Sequence, residues 1–237
     1  MNYLGHYVFN HDVCRLAAAP YFAMGVALPD LWPRLSRRRR IRWRCVRQAA
    51  PLDARGRQLR SGLLNHAAVD RRFHASAAFA AWQRVLKTRV SADGTHPALL
   101  DFLGHIALEL VLDQHLLRRN PDLADRFYDS LQACDYAAVT AGVEPLAGVS
   151  AHGLERLLES FIARRFLRQY TQREALVAVM HHIFNLTRIP DPPGDALLGA
   201  LLREAERLVD PAIIWAELAR DGPLAGRSSS RMTEPGR

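Results

Sequence analysis

The sequence has no run of apolar residues approaching the roughly 18 to 20 that a membrane-spanning helix requires. Its N-terminus lacks the basic start, apolar middle and small-residue cleavage site of a secretory signal. A soluble, cytoplasmic protein is the expectation. Cysteine is scarce: Cys14, Cys45 and Cys134 are too few and too scattered for a disulfide framework or a zinc knuckle, which argues against redox chemistry. The sustained alternation of apolar and polar residues that marks half-buried strands is missing, as is any internal repeat. Lysine is nearly absent too, with Lys87 alone against 31 arginines.

What is there is enough apolar material for one sizeable core: 237 residues, 49% apolar and 24% charged. The spacing predicts helices near 2–9 and over 12–30, with breaks at Pro20 and Pro29. Further helices are expected over 62–90, 97–119, 121–139, 150–170, 171–188 and 194–220. Pro97 suits a first helical turn, Asn120-Pro121 stops one helix and opens the next, and Asp191-Pro192-Pro193-Gly194 reads as a loop. The expected architecture is an all-α, single-domain bundle over 1–221, followed by a polar, disordered tail over 222–237.

The formal charge of +8 is unevenly placed. Between Arg34 and Arg60 eleven arginines face one acid, Asp53, so this window carries +10 and the remainder −2. A solvated basic face, or a genome rich in GC, accounts for such a run. The functional alternative is a docking patch, centred on Arg37, Arg38, Arg39, Arg40, Arg42 and Arg44, for an acidic or phosphate-bearing partner, since guanidinium forks bind both bidentately. Nucleic acid is the poorer partner, because Trp43 is the window's only aromatic residue for stacking on bases.

Two segments put ionisable side chains on single helical faces. His66, Asp70 and His74 fall at i, i+4, i+8 beside the apolar arc of Val69, Phe73, Ala77 and Ala80. His105, Glu109 and Asp113 repeat that spacing, and Glu109 and Asp113 lie within an arc that includes Phe102, Ile106, Leu110 and Leu112. Burying ionised acids is costly unless a cation or strong donors answer them. Either a metal site or a structural network with Arg or His would do so. His6, in MNYLGHYVF, and Asp30, in GVALPDLW, would add ligands from two further segments. The mixture suits a divalent metal, Mn foremost, with Fe, Mg or Zn as alternatives, and hydrolytic chemistry. His115 projects elsewhere, and His11-Asp12 sits at a helix start without matching ligand spacing.

These residues resemble a known family. MNYLGH, GVALPD, LLNHAAVD with His66 and Asp70, the helix with Glu109 and Asp113, and Tyr170 with REALVAVMHHIFNLTR occur in the order of the bacterial acyl carrier protein phosphodiesterases, distant relatives of HD-domain hydrolases. The likeness spans roughly residues 1 to 190. It implies an HD-like, metal-dependent phosphodiesterase of lipid metabolism that removes phosphopantetheine from holo acyl carrier protein. His6, Asp30, His66, Asp70 and Asp113 match the family's imidazole and acidic positions, with Asp30, Asp70 and Asp113 as candidate catalytic carboxylates. Glu109 stands where Asp is more frequent, His74 replaces a frequent Asp, and Gln114 stands where the family has His, with His115 about 100° out of phase. The competing expectation is a non-catalytic descendant that docks an acidic protein or nucleic acid through the basic segment.

Overall fold

In the computed structural model, residues 1–10, 19–36, 40–50, 53–90, 96–185 and 193–220 are described. These residues form helices and no strand, as the absence of alternation predicts. The order is α1 (Tyr3–Val8), α2 (Pro20–Leu35), α3 (Trp43–Gln48), α4 (Ala54–Ala75), α5 (Ala77–Arg89), α6 (Pro97–Arg119), α7 (Leu123–Gln132), α8 (Tyr136–Ala147) and α9 (Leu154–Arg164). A 3-10 turn (Phe166–Thr171), α10 (Arg173–Asn185), α11 (Asp195–Leu208) and α12 (Pro211–Arg220) complete the chain. His11-Asp12 and the tail over 222–237 lie outside the described residues.

The apolar α6 is the central helix: Leu103, Ala107, Leu108, Val111 and Leu112 are buried on it, and it touches α1, α5, α7, α10, α11 and α12. Pro97 opens it, where a missing N–H costs nothing. The expected helix over 62–90 begins earlier, at Ala54, because Asp53 accepts the Gly56 N–H at 2.7 Å and so supplies an N-cap inside the basic run. It breaks at Ser76, whose Oγ accepts from Phe79 N and donates to the Phe73 carbonyl, capping α5.

Pro29 does not end α2, contrary to expectation, and neither does Pro33. Each removes a donor from the helical ladder. The helix continues because its buried face, including Met24, Leu28 and Leu31, lies along α4. That contact is closest at Gly25 and Gly62: a Cβ on Gly25 would meet the Leu59 carbonyl oxygen, and one on Gly62 the Phe22 carbonyl oxygen. The close approach sets α2 beside α4, with Asp30 of one 3.7 Å from His66 of the other.

Candidate metal centre

α1 has no side-chain cap of its own, and Asp113 of α6 answers its free amides: Oδ1 accepts from Gly5 N at 2.7 Å and Oδ2 from Leu4 N at 3.2 Å. This contact seats His6 against α4. The rings of His6 and His66 stack at 4.1 Å, and His6 Nε2 lies 3.8 Å from Asp70 Oδ1. His6 is 1% exposed, yet neither ring nitrogen has a hydrogen-bond partner. His66 Nδ1 donates to the Val26 carbonyl at 2.9 Å, leaving its Nε2 as the free acceptor, 3.7 Å from Asp30 Oδ1. Burial lowers the pKa of both imidazoles, with the neighbouring His6 ring adding to the effect on His66. The shift favours the neutral imidazoles, whose lone pairs a metal requires.

One turn along, α4 and α6 assemble a second cluster. His74 Nε2, His105 Nε2 and Glu109 Oε1 lie 3.0 to 3.1 Å from one another, and the two rings stack at 4.6 Å. Asp70 joins the clusters, with Oδ1 facing His6 and Oδ2 3.3 Å from His74 Nδ1. The structure thus groups the predicted residues into two potential ligand triads, His6, His66 and Asp70, then His74, His105 and Glu109, each with its ligand atoms within 4.8 Å of one another.

The residues fit a metal. Edges of 3.0 to 3.1 Å are what ligand atoms subtend when they share an ion at about 2.0 to 2.2 Å. The buried, partnerless nitrogens of His6 are otherwise a desolvation cost without return. A cation is already met here: the Met1 ammonium lies 2.8 Å from Asp70 Oδ1 and 2.6 Å from Glu109 Oε1. Burial would lower its pKa, but Glu109 and Asp70 raise it above its ordinary value. Conversely, burial would raise Asp70 and Glu109. For Asp70 the imidazoles of His6 and His74 and the ammonium, and for Glu109 the ammonium, His105 and His74, hold them well below the usual carboxylate range. Against the burial that would lower it, His74 is raised to about 9 by Asp70 and Glu109.

Asp113 stands apart from both triads. Burial pushes it up to about 7, against the pull of the Leu4 and Gly5 amides; its oxygens seat α1 and with it His6, and it belongs to neither triad. Gln114 is buried and reaches the Thr171 carbonyl at 3.5 Å, while His115 binds the Glu206 carbonyl, away from the cluster. Asp30 is pushed well above the usual range by burial, and its Oδ2 has no hydrogen-bond partner.

Asp30, His105 and Glu109 open onto a cavity of about 970 Å³ between α2, α6 and α10. Arg34 and Arg164 also line it. Of the predicted docking residues, Arg40, Arg42 and Arg44 are exposed on and beside α3, which packs on α4 and α8, and none lines the cavity. Arg37, Arg38 and Arg39 lie outside the described residues. The sequence reading missed the Met1 ammonium and Arg164; Arg34 was legible only as one charge in a basic run. Comparison of the chain with profiles of known families, with curated proteins and with solved structures returns no match.

Proposed function

We propose that the protein is a metal-dependent phosphodiester hydrolase of HD-like architecture, and that the phosphopantetheine linkage of holo acyl carrier protein, or a related phosphodiester, is its substrate. The observation that carries the hydrolase is the convergence of His74 Nε2, His105 Nε2 and Glu109 Oε1 at 3.0 to 3.1 Å beside the His6, His66 and Asp70 triad. The carrier protein rests on the sequence resemblance.

Bound by the two triads, a divalent metal such as Mn, Fe, Mg or Zn would polarise the phosphoryl group and lower the pKa of water. Arg34, one turn beyond Asp30 on α2, is placed to pair with the non-bridging phosphate oxygens. Asp30, at the cavity wall with its carboxyl held above the usual range by burial, is the acid that would hand a proton to the departing alcohol oxygen as the P–O bond breaks. The oxygen added to phosphorus comes from water, whose proton restores Asp30.

The test is metal content after purification without chelators, together with hydrolysis of bis(p-nitrophenyl) phosphate and of holo acyl carrier protein, with and without added Mn²⁺. Metal retention and ester cleavage are expected; their absence overturns the hydrolase. Cleavage of the small diester alone removes the carrier protein. A second reading is favoured by the Met1 ammonium, which neutralises Asp70 and Glu109 without any metal. In that reading the cluster is a structural polar core and the arginines, Arg40, Arg42 and Arg44 among them, dock an acidic partner. A metal-free protein of undiminished stability supports it.

A further inference from the structure

The lining of the cavity is largely apolar. Along α6, Phe102, Ile106 and Leu110 form one stripe at i, i+4, i+8, beside the His105 and Glu109 stripe. Ala175, Val179 and Ile183 of α10 face them across the cavity. An occupant that reaches His105 and Glu109 therefore passes between these two apolar stripes, with polar side chains such as Gln83, Gln169 and His182 also on the lining. The volume of about 970 Å³ stands at the upper end of the range for small-molecule sites. It exceeds what a phosphate or a methyl ester fills.

We propose that this cavity takes the single hydrocarbon chain of an amphiphilic phosphodiester whose phosphate sits between the triads and Arg34. The proposal rests on the hydrolase reading above but not on the carrier protein. Charge supports it. The Arg34 guanidinium lies over the Phe166 ring at 5.5 Å, with no carboxylate partner among the described residues, and with Arg164 it gives a cavity rich in carbon two cationic side chains besides the acid and imidazole cluster. Polarity supports it as well. A pantetheine arm would bring amides that need hydrogen-bond partners on desolvation; Phe102, Ile106, Leu110, Val179 and Ile183 supply none, and the polar groups of the lining, Gln83, Gln169 and His182 among them, are outnumbered by carbon. A saturated chain loses nothing there and gains burial with every methylene. The chemistry is unchanged: water adds to phosphorus, one P–O ester bond breaks, and the leaving alcohol carries away the proton.

The test uses the full chain and a series of alkyl p-nitrophenyl phosphates, methyl, butyl and octyl, each below its micelle concentration. kcat/KM should rise about threefold per buried methylene, so that octyl, with seven more methylenes, exceeds methyl by roughly 2000-fold when the whole chain is buried. Ala178→Trp, on the cavity-lining face of α10 and outside both triads, fills part of the cavity. It should flatten the series, lowering octyl far more than methyl. Equal rates for methyl and octyl in the wild type, or a rise only above the micelle concentration, overturn the proposal. If no ester is cleaved, the hydrolase reading fails, and octyl phosphate binding by calorimetry then decides the chain site. Binding that Ala178→Trp abolishes supports it, and no binding overturns it.

Discussion

The carbonyl of Val26 fixes the imidazole of His66. Because a carbonyl can only accept, Nδ1 carries the proton at 2.9 Å, and the lone pair of Nε2 points into the site. This bond spans α2 and α4 next to the Gly25 and Gly62 crossing, where backbones meet with no room for a methyl group. Gly62→Ala should therefore push the helices apart, cost about 3 kcal/mol in urea unfolding, and lower metal affinity as His66 loses its anchor. Wild-type stability in that variant would refute the coupling.

Removing the acid that seats α1 should act from a distance. Asp113→Ala leaves the Leu4 and Gly5 amides buried and unpaired, which should cost on the order of 3 kcal/mol and weaken metal binding through displaced His6. Asp113→Asn removes the titration and keeps one of the two acceptors, so it carries a constant loss of one amide bond at every pH. Burial raises the folded-state pKa of Asp113 to about 7, above an unfolded value of about 3.9, so the folded state holds its proton more tightly. Its contribution is most favourable below about pH 4 and falls as pH rises toward about 7. The stability of the wild type relative to Asp113→Asn should decline over that interval, measured as urea midpoints at successive pH values.

His74 predicts the opposite kind of competition, between a proton and a metal. It faces Asp70 on its own helix, His105 and Glu109 from α6, and the Met1 ammonium. With its pKa raised to about 9, its stabilising charge is complete below its unfolded value of about 6.5 and is lost as pH rises through about 9. A metal must displace that proton. Metal affinity should thus increase from about pH 6 to about pH 8 with measurable proton release, and His74→Gln should reduce both the affinity and the slope. A calorimetric titration in buffers of different ionisation enthalpy reads the protons directly.

Asp70 should be the most damaging carboxylate to lose. Its Oδ1 faces His6 and its Oδ2 His74, so Asp70→Asn weakens both triads, whereas Glu109→Gln removes a ligand from one. Metal content measured after dialysis should fall further in Asp70→Asn than in Glu109→Gln. The reverse order would separate the two triads.

The sequence by itself determined the ingredients. The 3.6-residue period put His66, Asp70 and His74 on one face and His105 and Glu109 on another, and the apolar arcs beside them faced those stripes toward the core. Helical class followed from the same period. Element ends followed less well: Pro29 reads as a break, yet packing on α4 carries α2 through it, because tertiary burial outweighs a missing ladder bond. Only the tertiary structure decided which acids share the site. Glu109 and Asp113 are equivalent on a helical wheel, but one turn, about 5.4 Å, carries Asp113 past the imidazoles to the free amides of α1. The cavity was likewise invisible, since α6 and α10 are distant in the chain and no local rule states which of their faces leave space between them. A pattern sets what a helix can offer, and long-range packing sets what the offer meets.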